Sequence, residues 1–208
     1  TGSGVDGAGI MLTGSYRMSA SISRTYYSTG LSASNPYHTV HNHAVPCSGS
    51  ALKNTFNHYQ RLSPYYAYSS SEGISPVVKA TDRSCLINIP SIFYGSSIKK
   101  GTVDLKFYIT GTLIGRLQDI NKNGVMVQTE PYGSVGSGSV AGVTLYNEGF
   151  IYLSGSWSLD SPTYNFEDAS ATTPKWYHFG TGANDGITGS VAPGAKARVS
   201  ASFDIAFS

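Results

Sequence analysis

Charge is scarce in this chain. Only 12% of its 208 residues are Asp, Glu, Lys or Arg, about half of the roughly 25% usual in soluble domains. The formal net charge is +2, and no extended run of Lys or Arg supplies the basic stripe that grips a phosphate backbone, so nucleic acid is not an expected partner. Long apolar runs are missing too. None approaches the ~20 residues that span a bilayer, and no charged-then-apolar signal segment opens the chain, so membrane insertion is not expected. The chain opens on Thr1 rather than on methionine, which fits a processed product or a segment of something longer.

Cysteine is nearly absent. Cys47 and Cys85 permit one bridge, but a secreted disulfide scaffold of this length normally carries more, so the pair reads as buried thiols. Catalytic signatures are absent from the sequence as well: there is no G-x-S-x-G elbow, no H-E-x-x-H and no Gly-rich strand-to-helix fingerprint. Asp119, Glu130, Glu148, Glu167, Asp168 and Asp185 could in principle supply a glycosidase pair, yet nothing sets two of them at a defined separation. The expectation is a chain that is not an enzyme.

What is present is β-type patterning in a chain rich in Gly, Ser, Thr and Tyr. Val103, Leu105, Phe107 and Ile109 alternate with Asp104, Lys106, Tyr108 and Thr110, the period of a half-buried strand. Leu113, Leu117, Val125 and Val127 continue it on either side of an Asn123-Gly124 pair suited to the positive φ of a hairpin turn. Val143 to Leu153 reads as a second hairpin turning at Asn147-Glu148-Gly149. A closing strand alternates Ala197, Val199, Ala201, Phe203, Ile205 and Phe207 with polar residues, and Val77 to Ala80 is a further short strand.

One helix is expected over Ser50 to Leu62. Leu52, Phe56 and Tyr59 recur at spacings of four and three, Ser50 can cap the start and Pro64 stops it. Residues 1–49, rich in Gly, Ser, Thr and Asn with scattered apolar side chains, read as an extended arm. The fold expected is mainly β: an antiparallel, sandwich-like domain over 50–208 with one short helix, preceded by that N-terminal arm.

Three stretches carry candidate chemistry. Asp119, Asn121, Asn123, Gly124 and Glu130 match the calcium-loop pattern D-x-[DN]-x-[DN]-G-x5-E, although the flanks alternate like strands rather than helices. A hairpin turn held by Asp and Asn side chains explains the same letters. His38, His41, His43 and Cys47 are zinc-type ligands whose spacing fits no standard module, against the alternative of a polar loop. No metal is assigned to either set. Trp157, Tyr164, Phe166, Trp176, Tyr177 and Phe179 lie in an irregular stretch of the kind that sugar-binding surfaces and buried interfaces both use. Glu130 to Gly142 is a Gly/Ser connector without the Lys-Ser/Thr ending of a phosphate-binding loop.

Several runs resemble a segment of the large virion structural proteins of tailed bacteriophages. They are ALKNTFNHYQRLSPYYAYSS, the stretch from Ile87 to Thr129, and GSGSVAGVTLYNEGFIYLSGSW, which lie within roughly residues 50–158. The shared letters include Ile89-Pro90, Phe93-Tyr94-Gly95, Ile98-Lys99, Gly101-Thr102, Thr110-Gly111, Asn123-Gly124, Val140-Ala141-Gly142 and Tyr146-Asn147-Glu148-Gly149. The resemblance implies a non-enzymatic assembly subunit of the virion, tail- or baseplate-associated, whose partners are copies of itself and other virion proteins. It carries no catalytic or ligand-binding residue over to this chain. The alternative is a carbohydrate- or receptor-binding module on the particle surface, taking host glycan through the aromatic stretch; a polysaccharide depolymerase is a third reading.

Overall fold

The strand with the cleanest alternation, Asp104–Ile109, lies inside the main sheet and is paired on both sides. A computed structural model of the chain describes residues 2–5, 11–14, 23–27, 37–40, 43–46, 49–68, 79, 82–166, 171–181, 189–190 and 198–204. In chain order these carry strands β1 (Gly2–Val5), β2 (Met11–Gly14), β3 (Ser23–Tyr27), β4 (Tyr37–Val40) and β5 (His43–Pro46), then helix α1 (Gly49–Tyr59). β6 (Ser84–Asn88), β7 (Asp104–Ile109), β8 (Thr112–Gln118), β9 (Val125–Glu130), β10 (Val140–Leu145) and β11 (Phe150–Leu153) follow. The chain closes with β12 (Tyr164–Asn165), β13 (Ala171–Thr172), β14 (Gly189–Ser190) and β15 (Arg198–Asp204).

Nine strands make one antiparallel sheet in the order β14-β15-β7-β8-β9-β10-β11-β6-β3, and β1–β2, β4–β5 and β12–β13 are separate pairs. The closing strand pairs with β7 from Val199 opposite Ile109 to Asp204 opposite Asp104. The mainly β, antiparallel reading with one helix therefore holds. β3, which belongs to the stretch read as an arm, is the edge strand of this sheet, with Tyr26 and Tyr27 buried.

Turn chemistry places the hairpins. β7 and β8 are joined by Thr110-Gly111 alone, with Ile109 opposite Thr112 and φ of 50° and 81°, the doubly positive pattern whose twist matches flanking strands. The 119–124 connection works differently from the expected Asn123-Gly124 turn: its positive-φ residues are Lys122 and Gly124. A Cβ on Gly124 would overlap the Tyr66 hydroxyl, so both the backbone angle and the packing require glycine there.

Layers on the two faces give the sheet its sandwich-like section. One face is covered by residues from the described stretches 157–166 and 171–181, where Trp176 is fully buried with its ring against Gly115 and 6.2 Å from Phe107. On the other face α1 lays Phe56 edge-on against Tyr152 at 5.2 Å, and Tyr59 stacks on Tyr66 at 5.3 Å. Each such buried aromatic or aliphatic side chain contributes about 1.5–3 kcal/mol by leaving water. Away from α1, the β7–β8–β9 part of that face is polar: Arg116 bonds Asp104 and Glu130, and Thr129 bonds Gln118.

The helix is shorter at its C-terminus than expected. It ends at Tyr59, and Leu62 N–H closes a turn onto the Tyr59 carbonyl at 2.8 Å. Pro64 opens a 3-10 turn, Pro64–Tyr66, whose Tyr65 N–H is accepted by the Ser63 hydroxyl. A proline is suited to that position because its missing N–H would have no helical partner. Of the strand expected at Val77 to Ala80, only Lys79 is described, and it lies in a turn. Cys85 is buried with its thiol 3.8 Å from the Phe179 carbonyl, whereas Cys47 lies outside the described residues.

Candidate functional site

Antiparallel order brings several connections to one end of the sheet. The 119–124 and 146–149 turns lie there, as does the long loop between β6 and β7, because Asn88 stands opposite Phe150 and Asp104 opposite Gln118. Asp119 ties them together. Its carboxylate is 2% exposed and accepts N–H bonds from Gly101 at 2.8 Å and Gly124 at 3.0 Å, and an O–H bond from Tyr146. Such a set of donors holds a buried carboxylate that would otherwise be strongly disfavoured.

Phenols surround this carboxylate. Burial pushes the Tyr146 hydroxyl well above its ordinary range, and the bond to Asp119 adds to the effect. Tyr66 is raised in the same way, first by burial and then by the Asp119 charge; its hydroxyl donates to the Thr144 carbonyl. Tyr59 is pushed up to about 12, mainly by burial. Its hydroxyl donates to Glu148 Oε2 at 2.7 Å and accepts the Asn147 N–H at 3.1 Å, which pins the C-terminal end of α1 to the β10–β11 turn.

Above the phenols lies an open cleft of about 440 Å³ between the end of α1 and the 97–100 loop. Tyr59 and Tyr146 form its floor, and His58, Arg61, Lys99 and Lys100 stand exposed around it. Arg61 Nη2 is 3.1 Å from His58 Nε2. Lys100 Nζ lies 5.7 Å from the centre of the Tyr146 ring, a cation–π arrangement that holds the ammonium at the rim. Chemically the cleft offers exposed cationic donors over a floor whose hydroxyls are already bonded. That suits binding of a negatively charged group.

The candidate sites read from the sequence fare unequally. The calcium set is not brought together. Asp119 is turned onto internal donors, the Asn123 side-chain oxygen accepts Val125 N–H at 3.1 Å, and Glu130 is carried to the far end of β9, where it pairs with Arg116 at 2.6 Å. The turn-holding alternative describes what Asp119 and Asn123 do. Of the zinc set, His38 and His43 lie on the β4–β5 hairpin, with Val40 opposite His43, while His41 and Cys47 fall outside the described residues. Among the described residues no group of three or more His, Cys, Asp or Glu side chains could hold a metal ion.

The aromatic stretch is largely core. Phe166, Trp176, Tyr177 and Phe179 are buried, and Trp157 and Tyr164 are half-buried. Gln128 organises two of them, accepting indole N–H bonds from Trp157 at 2.7 Å and Trp176 at 2.9 Å. Among the acidic residues named for a glycosidase pair, Asp119, Glu130 and Glu148 are each bonded as given above, and Glu167, Asp168 and Asp185 lie outside the described residues.

Sequence reasoning missed the cleft. His58 and Arg61 share one side of the α1 terminus, but Lys99 and Lys100 are some forty positions further on, and no local spacing links them. Among the described residues no helix is long and apolar enough to cross a membrane. The resemblance to phage virion proteins gains no support from outside the sequence, because the chain matches no protein-family model, no curated protein and no solved structure.

Proposed function

We propose that the chain is a non-enzymatic assembly subunit of a bacteriophage virion, tail- or baseplate-associated, contacting copies of itself and other virion proteins. The observation that carries the assembly reading is where the large exposed apolar side chains of the described residues sit. Tyr132 is 97% exposed and Ile92 84%, with Val135 and Ile120 also exposed, and all four are on connections at the two ends of the sheet. Isolated exposed apolar residues are ordinary. Placed at both ends of a low-charge β module, they suit contacts with neighbouring subunits. Asp119, Arg116 and Gln128 are each spent on local bonds, which adds to this reading. The assignment to a phage particle rests on the textual resemblance alone.

Gold-labelled antibody against the chain, applied to purified particles of the virus that carries it, tests the reading. Label on the tail or its distal end is the expected result. If intact and disrupted particles stay unlabelled while infected cells label, the virion assignment fails. One observation favours the glycan-binding alternative: Tyr132 and the half-buried Trp157 lie at the same end of the sheet, with Gly136 of the Tyr132 loop packed on the Trp157 indole. Under that alternative, Trp157→Ala abolishes binding of host surface glycan while the chain stays folded.

A further inference from the structure

The cleft at the end of α1 gathers the exposed cations Arg61, Lys99 and Lys100 around one concavity. Several cations elsewhere among the described residues are engaged: Arg116 with Asp104 and Glu130, Lys106 with Asp104, and Lys79 buried against the Tyr65 and Ala67 carbonyls. Arg61, Lys99 and Lys100 make no ion pair with a described carboxylate and stand exposed around one concavity. Two carboxylates lie against the floor, Glu148 bonded to Tyr59 and the buried Asp119 bonded to Tyr146, and the three rim cations outnumber them.

We propose that this cleft is a binding site for a small oxyanion, a phosphate or carboxylate group on a compact ligand. Four features point there. The cleft volume of about 440 Å³ falls within the roughly 300–1,000 Å³ typical of small-molecule sites. Its cations come from two separate elements, α1 and the 97–100 loop, so they can approach an anion from opposite sides; Arg61 offers a planar fork and the lysines compact charges. The floor is rigid, because Tyr59 is fixed by Glu148 and Asn147 and Tyr146 by Asp119. The charge is local: at a net +2 the chain has no basic stripe for an extended polyanion, which confines recognition to one anionic group. This site is independent of the assembly reading and stands or falls separately.

The test is a titration of the whole ¹⁵N-labelled chain, followed by NMR, with inorganic phosphate, D-glucuronate and uncharged D-glucose. Saturable shifts of the Ser97, Lys99 and Asn147 amides with phosphate or glucuronate, and none with glucose, are expected; the tighter of the two names the anionic group. Lys99→Ala/Lys100→Ala should raise Kd at least tenfold, as should Arg61→Ala tested separately, with spectra that remain dispersed. Raising the salt should weaken binding, since exposed charges are screened beyond about 8 Å at physiological ionic strength. The proposal is overturned if neither anion produces saturable shifts at these amides, if glucose matches them, or if both variants bind as the unaltered chain does.

Discussion

The two sides of the main sheet are built on different terms. On the β10–β11–β6 side both faces are covered, and burial runs nearly unbroken: five of the six residues of β10 and four of the five of β6 are buried. On the β7–β8–β9 side only one face is covered, so β7 alternates strictly between buried and half-buried positions. The polar face there carries Asp104, Lys106 and Arg116, where the other side carries Leu86, Val143 and Tyr152. Alternation in a sequence thus reports how many faces of a strand are covered, and a continuous apolar run conceals which residues face which layer.

The contrast can be broken most sharply at the layer both sides share. Trp176→Ala removes a fully buried indole that packs on Phe107 and Phe179 and donates to Gln128. It should lower unfolding free energy by about 3–5 kcal/mol, read from urea denaturation. An unchanged midpoint and slope would show that this layer does not hold the sheet.

The two sides also hold their cations differently. Lys79, buried between Phe56 and Tyr152, is pulled down to about 8 by desolvation. Its folded value lies below its unfolded one, so the unfolded chain binds more protons between about pH 8 and 10.5. Stability should therefore rise with pH across that window, by up to about 3 kcal/mol at 1.36 kcal/mol per pKa unit. Lys79→Met should remove that rise. A pH-independent difference between the two proteins across the window would refute the assignment.

Gly115→Ala probes the covered face of β8. Its new Cβ would stand 2.5 Å from the Trp176 ring, which has no exposed side to move toward. Overpacking of this kind costs about 1–3 kcal/mol, visible as a lower thermal midpoint. Combined with Trp176→Ala, the alanine should lose most of that penalty, and an additive double variant would contradict the contact.

Arg116→Ala should have the smallest effect. The guanidinium bonds Asp104 through two nitrogens and Glu130 through a third, but its side chain is 26% exposed, and pairs open to solvent are worth about 0–1 kcal/mol. High salt should shrink the loss further. A loss comparable to that of Trp176→Ala would mean that the polar half-face is covered in solution, as contact with another subunit would require.

Legibility in the sequence followed the same division. β7 and β15 were readable because apolar and polar residues alternate at period two in each, and β10–β11 because Asn147-Glu148-Gly149 interrupts an apolar run. β3 was not readable: SRTYY is five residues inside a Gly/Ser-rich stretch, and only its pairing with β6 identifies it as a strand. The calcium-like letters were legible as a pattern and as a turn. Glu130 left the set because an extended strand carries a residue six positions beyond Gly124 to the opposite end of the sheet.

By itself, then, the sequence determined the class: low charge, period-two alternation, one amphipathic segment before Pro64 and glycine-bearing turns suffice for an antiparallel β module with one helix. Only the tertiary structure decided which groups meet. It set Asp119 against Gly101 and Tyr146, Gln128 against two indoles, and Arg61 against Lys99 and Lys100 across a cleft. The physical reason is range. Strand and turn preferences are set by neighbours a few residues apart, whereas contacts between positions 18 to 48 apart depend on strand order and layer packing, which no local pattern encodes.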